Sequence, residues 1–239
     1  MRPISERRTL EGPVGRIECV LERPVGMVRG FAFIGHPHPL YGGSLDNKVA
    51  ATLARAFLAL GWVAVRPNFR GVGQSEGTHD NGRGETQDFL FLVDQVPRLA
   101  QWKLLLSTPV PIALAGFSFG AFVAASAAQQ LAQRSRPVQA LVLIGTPAGK
   151  WPVPAVEPAA VVIHGEVDET IALTEVLAWA RESDVPVIVI PSADHFFHRR
   201  LTTLKRLVMQ NLAGAAQLGA HAGASAVPMS AQQAANDNE

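Results

Sequence analysis

The sequence predicts an α/β protein: a mostly parallel central sheet with helices on both faces and no cap domain. Three observations lead there. Short runs rich in Val and Ile alternate with segments of helical spacing through residues 1–212. The runs are apolar throughout, so each strand is covered on both faces, as in a parallel sheet between helix layers. The chain has 239 residues, 48% of them hydrophobic, which is enough to fill a large core.

The elements follow in order. Residues 16–21 predict an additional strand at a sheet edge. Residues 30–34 give the first fully apolar strand, followed by a helix starting near Asn47. Residues 62–65 repeat the pattern, with the next helix near Glu85. Residues 112–115 run directly into a helix near Gly120, whose Ala-rich stretch 121–128 lets it pack close to the sheet. Residues 141–144 and 160–163 form two further strands, the second followed by a helix near Ala172. Residues 187–190 form the last strand, and the last helix begins near Arg199. Residues 213–239 differ: ten of the 27 are Ala, and only Leu218, Val227 and Met229 are bulky and aliphatic. So little apolar area predicts a disordered tail, although the Ala-rich start can extend the last helix by a turn or two.

Composition removes several function classes. The net charge of +1 is no polybasic nucleic-acid signature. One cysteine, Cys19, allows neither an internal disulfide nor a cysteine-based zinc site. Apolar runs such as 140–144 are far short of the roughly 20 residues of a membrane helix. The charged N-terminus lacks the apolar stretch of a secretory signal. The expectation is a cytoplasmic domain with no nucleic-acid or membrane partner, its oligomeric state open.

Chemistry appears where strands end, because loops at the carboxyl edge of such a sheet carry the active groups. The 112–115 strand leads into Gly116-Phe117-Ser118-Phe119-Gly120, and a helix follows. This is G-x-S-x-G between strand and helix. The turn must be sharp to lift the serine hydroxyl above the sheet, and glycines at 116 and 120 relieve the crowding. The helix start below favours a developing oxyanion.

A serine hydroxyl needs a base, and the base an orienting carboxylate. Two later strands supply them. Residues 160–163 run into His164-Gly165-Glu166-Val167-Asp168-Glu169, and residues 187–190 into Pro191-Ser192-Ala193-Asp194-His195-Phe196-Phe197. The order Ser118, Asp168, His195 fits the fold class. Glu166 and Glu169 compete with Asp168, and His198 competes with His195. His164 reads as a packing or loop-bonding histidine, and Asp194 as a support beside His195.

Acyl transfer also needs two backbone N–H donors. One is the amide of Phe119. The other belongs to the loop after the first apolar strand, Gly35-His36-Pro37-His38-Pro39-Leu40-Tyr41-Gly42-Gly43. The prolines have no N–H, which leaves His38 or Leu40, with His38 preferred. His36-x-His38 would also suit a metal pair. The carboxylates at 46, 168 and 194 are remote in sequence, so no metal and no cofactor are expected. Asn68-Phe69-Arg70-Gly71-Val72-Gly73-Gln74-Ser75-Glu76 fails the dinucleotide fingerprint, because Glu76 stands where glycine is required. It reads as a structural loop beside the site, with Arg70 free to pair with Asp88.

Together the nucleophile turn, His164-Gly165-Glu166-Val167-Asp168, Ala193-Asp194-His195, the His36–Gly43 segment with Asn47-Lys48-Val49, and Asn68–Gly73 resemble the α/β-hydrolase superfamily. Within it the chain is similar to small bacterial serine hydrolases related to dienelactone hydrolases and short-chain carboxylesterases. The resemblance covers roughly residues 10–212 and implies the α/β-hydrolase fold. Dienelactone hydrolases typically use a cysteine nucleophile. Here the position is Ser118, so lactone specificity does not carry over.

About fifteen residues with four prolines separate strands 141–144 and 160–163. They cannot form a helical cap, which predicts an open, lidless site. Tyr41, Trp151 and Phe196 are candidates for its apolar wall. The expected activity is hydrolysis of small carboxylic esters through a covalent acyl-enzyme. A peptidase or thioesterase with the same triad, and a noncatalytic binding protein on the same scaffold, are the alternatives.

Overall fold

The computed structural model describes residues 3–99, 102 and 109–224. The sheet comprises β1 (Ile4–Gly12), β2 (Gly15–Arg23), β3 (Gly30–Gly35), β4 (Trp62–Pro67), β5 (Ile112–Phe117), β6 (Ala140–Ile144), β7 (Val161–Gly165) and β8 (Val187–Ile190). Its order is β1-β2-β4-β3-β5-β6-β7-β8. From β4 across to β8 all neighbours pair in parallel, and β2 alone runs against the rest. The helices are α1 (Lys48–Ala59), α2 (Arg83–Gln95), α3 (Phe119–Gln133), α4 (Leu173–Glu182) and α5 (Leu201–Ala224).

The period-2 side-chain alternation of β3 shows how the sheet divides the core. Phe31 and Phe33 point into one apolar layer, shared with α2, α3 and α4. Ala32 and Ile34 point into the other, shared with α1 and α5. All four are fully buried, which is why the run reads as continuously apolar. Cys19 lies in the first layer, and burial pushes its thiol up to about 12, leaving no thiolate nucleophile at neutral pH.

Two expectations change. The strand expected over 16–21 is not at an edge, because β1 pairs along its whole length and takes the edge. β1 carries Ser5, Glu6, Arg7 and Arg8 and is mostly exposed, so it lacks the apolar signature of the other strands. α5 also passes the boundary at residue 212 and continues to Ala224. Alanine has the highest helix propensity, which favours this extension. Residues 225–239 of the Ala-rich segment lie outside the described residues. Among the described residues no helix is long and apolar enough to cross a membrane.

Between β6 and β7 the chain forms turns and no helix, so nothing from this connection covers the carboxyl edge of the sheet. The structure is lidless there, as the four prolines predict.

Candidate active site

β5 ends at Phe117 and α3 begins at Phe119, leaving Ser118 alone in the turn. Its φ of 54° and ψ of −123° lie in a region that non-glycine residues seldom occupy. Three features hold it there. The Ser118 N–H donates to the Ile144 carbonyl at 2.8 Å, tying the turn to β6. A Cβ on Gly116 would overlap the Gly120 carbonyl, and one on Gly120 would overlap the Gly35 carbonyl. The start of α3 therefore rests directly on the end of β3. Gly35 is a part of this contact that the five-residue motif does not include.

Three loops bring the polar groups together. The Ser118 hydroxyl lies 3.1 Å from His195 Nε2, and His195 Nδ1 lies 2.7 Å from Asp168 Oδ2. Asp168 Oδ1 accepts from the Thr170 and Ile171 amides at 2.9 and 2.8 Å. Burial pushes the Asp168 carboxyl up, but hydrogen bonds from His195 and the Ile171 amide outweigh it and hold the group below its ordinary value. All three residues are less than one-tenth exposed.

The competing residues have other partners. Glu166 accepts from the Ser192 amide at 2.8 Å, and Glu169 is exposed. His198 is exposed and bound to Asp194 at 2.6 Å, so Asp194 holds His198 rather than supporting His195. His164 is loop-bonding: its Nε2 donates to the Ile171 carbonyl at 3.0 Å, and it sits 3.5 Å from Asp168 Oδ2.

On the opposite side of Ser118, Pro37 and Pro39 lack N–H groups. The Leu40 amide is taken by His38 Nδ1 at 3.2 Å. The His38 and Phe119 amides have no acceptor among the described residues. These are the two donors expected from sequence. His36 is fully buried, its Nε2 accepting from the Phe69 amide at 2.9 Å and its Nδ1 donating to the Pro37 carbonyl at 2.6 Å. With both nitrogens engaged, His36 has no lone pair for a metal. Among the described residues no group of three or more His, Cys, Asp or Glu side chains is arranged to hold a metal ion.

The expected wall residues lie around this site. The Trp151 ring is 4.9 Å from Phe119 and 5.3 Å from Phe122, in stacked geometry with the latter, so it also packs on the core. Tyr41 is 87% exposed, with its ring 4.7 Å from His38. Phe196 lies 5.2 Å from His195, on the other side. A cavity of about 550 Å³ lies elsewhere, near the amino ends of β6 and β7, and includes Ala125, Leu141 and Ala160. Ser118, His195 and Asp168 do not line it, so it is separate from their cluster.

The loop before α2 and the first turn of that helix bring together His79 and Glu85, a contact that sequence reasoning passed over. His79 Nδ1 lies 2.9 Å from Glu85 Oε1, and Glu85 is fully buried. The Glu85 carboxylate also reaches back to the Gly82 amide at 2.8 Å, holding the start of its own helix. A Glu after a glycine-rich loop was the available signal for the cap. Nothing in sequence said that His79 would reach His38, 4.8 Å away between ring centroids. Arg70 does pair with Asp88, through two bonds of 2.9 and 2.8 Å, and the pair is buried. The Asn68 side chain bridges Leu45 and Glu18, so this loop is structural, as expected.

Comparison with known proteins identifies the family and the fold. A family model described as serine aminopeptidase, S33, matches residues 43–238. A solved α/β serine hydrolase without a lid from Xanthomonas campestris is similar at 35% identity and a TM-score of 0.78, over 87% of this chain and 94% of its own. An α/β serine hydrolase homologue from Coxiella burnetii is similar at 36% identity and a TM-score of 0.75, over 87% of this chain and 97% of its own. An uncharacterised protein from Rickettsia prowazekii is 29% identical over 213 residues, 82% of this chain and 84% of its own.

Proposed function

From a chain that belongs to the serine aminopeptidase S33 family of α/β hydrolases, we infer a serine hydrolase that cleaves small carboxylic esters through a covalent acyl-enzyme. One observation carries the reading. Ser118, His195 and Asp168 stand in a continuous hydrogen-bonded line, 3.1 and 2.7 Å between successive partners.

The steps follow from that line. The Ser118 hydroxyl attacks the ester carbonyl while His195 Nε2 takes its proton. Asp168 accepts from Nδ1–H, which fixes the tautomer and stabilises the imidazolium. The His38 and Phe119 amides receive the oxyanion, and they are well suited because neither has another partner to give up. The alcohol leaves with the proton from His195. Water then attacks the acyl-enzyme with His195 again as base, and the free acid departs.

The family description names an aminopeptidase, which would have to seat a free amine beside the scissile bond. Four carboxylates near the site already hold protein donors: Asp168 from His195, Glu85 from His79, Asp194 from His198 and Glu166 from Ser192. This favours an ester over an N-terminal peptide. The uncovered site favours small or surface-presented esters over long chains that need a tunnel. The substrate is a small molecule, and no cofactor takes part.

Labelling with a fluorophosphonate probe tests the nucleophile. Wild type should be labelled, and Ser118→Ala should lose both labelling and roughly 10⁴-fold or more of ester turnover. Undiminished labelling of Ser118→Ala would sink the assignment. Turnover of p-nitrophenyl esters should fall beyond short acyl chains. Labelling without ester turnover, together with cleavage of aminoacyl amides, would replace this reading with a peptidase.

A further inference from the structure

The fixed tautomers of His38 and His79 place a hydrogen-bond donor and an acceptor side by side next to Phe119. His79 Nδ1 lies 2.9 Å from Glu85 Oε1, which also accepts from the Asp80 amide. A carboxylate only accepts, so Nδ1 carries the hydrogen, and the tautomer this selects keeps its lone pair on Nε2. His38 has the opposite arrangement. Its Nδ1 accepts from the Leu40 amide, so its Nε2 carries the hydrogen. Burial lowers the His38 pKa, which favours the neutral ring.

Neither Nε2 has a protein partner among the described residues, and neither is sealed from solvent. The two rings are 4.8 Å apart and pack on the Phe119 ring at 5.0 and 5.3 Å. A hydroxyl oxygen, with N···O of about 2.9 Å and a tetrahedral angle, spans two nitrogens about 4.7 Å apart. The His79 side chain is only 10% exposed, held by a carboxylate that is itself fully buried. Packing thus sets its orientation before any ligand arrives.

We propose that His38 and His79 form a subsite for a hydroxyl group on the acyl part of the substrate, so that hydroxyacyl esters are preferred. A hydroxyl both donates and accepts, and it satisfies both nitrogens at once. A carboxylate would meet the His79 lone pair. The acyl side follows from the mechanism proposed above, on which this inference rests. His195 protonates the leaving alcohol, so the alcohol lies toward His195, whose ring touches Phe117 and Phe196. His38 and His79 stand instead with Phe119 and Trp151.

Binding to the Ser118→Ala protein tests the subsite without chemistry. Dissociation constants are measured by NMR titration for ethyl butyrate, ethyl 2-hydroxybutyrate, ethyl 3-hydroxybutyrate, 2-hydroxyethyl butyrate and monoethyl succinate. At least one hydroxyacyl ester should bind about tenfold more tightly than ethyl butyrate. Adding His79→Phe should bring that ratio to about one. His79→Gln, which keeps a donor for Glu85, serves if the Phe variant does not fold. Equal binding of all five esters would overturn the proposal. So would an advantage that survives either folded variant, or tighter binding of 2-hydroxyethyl butyrate or monoethyl succinate. Because these titrations need no turnover, an inactive wild type would refute the triad mechanism and leave the subsite to be judged on binding alone.

Discussion

Both nitrogens of His36 bind backbone groups, and burial pushes its pKa down to about 4. An unfolded histidine titrates near 6.5. Between those values the unfolded chain binds a proton that the folded protein refuses. The stability due to a neutral His36 is therefore complete above pH 6.5 and is lost as pH falls toward 4, by about 3 kcal/mol in all. His36→Gln should flatten the stability profile across that window, read by urea denaturation at several pH values. An unchanged profile would mean that His36 titrates normally. The proposed triad was legible in sequence because each member follows an apolar strand at the same edge of the sheet. His36 was legible only as a possible ligand, since its bonds to Phe69 and Pro37 depend on two loops meeting. His79 was silent for the same reason: its partner in the site, His38, lies 41 positions earlier in the chain.

The contact between β3, the Ser118 turn and α3 is made of backbone, which sets a strict limit on side chains. Gly120→Ala would drive a methyl group into the Gly35 carbonyl. The helix start must then retreat, moving the Phe119 amide from its place beside Ser118. The expected result is a loss of about 1–3 kcal/mol of stability and a larger proportional loss of labelling rate. Normal labelling at lowered stability would show that the turn tolerates displacement. The loop after β4 is tied to α2 through Arg70 and Asp88. Asp88→Ala leaves a buried guanidinium without its partner and should cost about 3–5 kcal/mol, measured by urea denaturation. Strands and helices with continuous apolar character were legible, from β3 through β8. β1 was not, because it is an exposed strand whose polar sequence resembles a surface segment. The far reach of α5 was visible only as alanine content, because propensity alone does not say where a helix stops.

Across the whole molecule, the two apolar layers close around β3, β5 and β6, while β8 forms the far edge of the sheet. β8 has four residues, three of them only half-buried, and pairs with β7 alone. Yet it delivers the loop that holds His195. The proposed base and nucleophile thus belong to regions of unequal strength: Ser118 to the centre, His195 to the margin. Marginal strands open locally at a lower free energy than the centre. The proposed esterase activity should therefore vanish at a lower urea concentration than the far-ultraviolet ellipticity, and amides of residues 187–190 should exchange faster than those of β5. Coincident transitions would show the sheet to be one cooperative unit. If the transitions separate, catalysis reports the fraying of a margin rather than the melting of the protein. A population of intact, folded and silent molecules would then exist under mild stress, ready to recover activity by re-docking a single short strand.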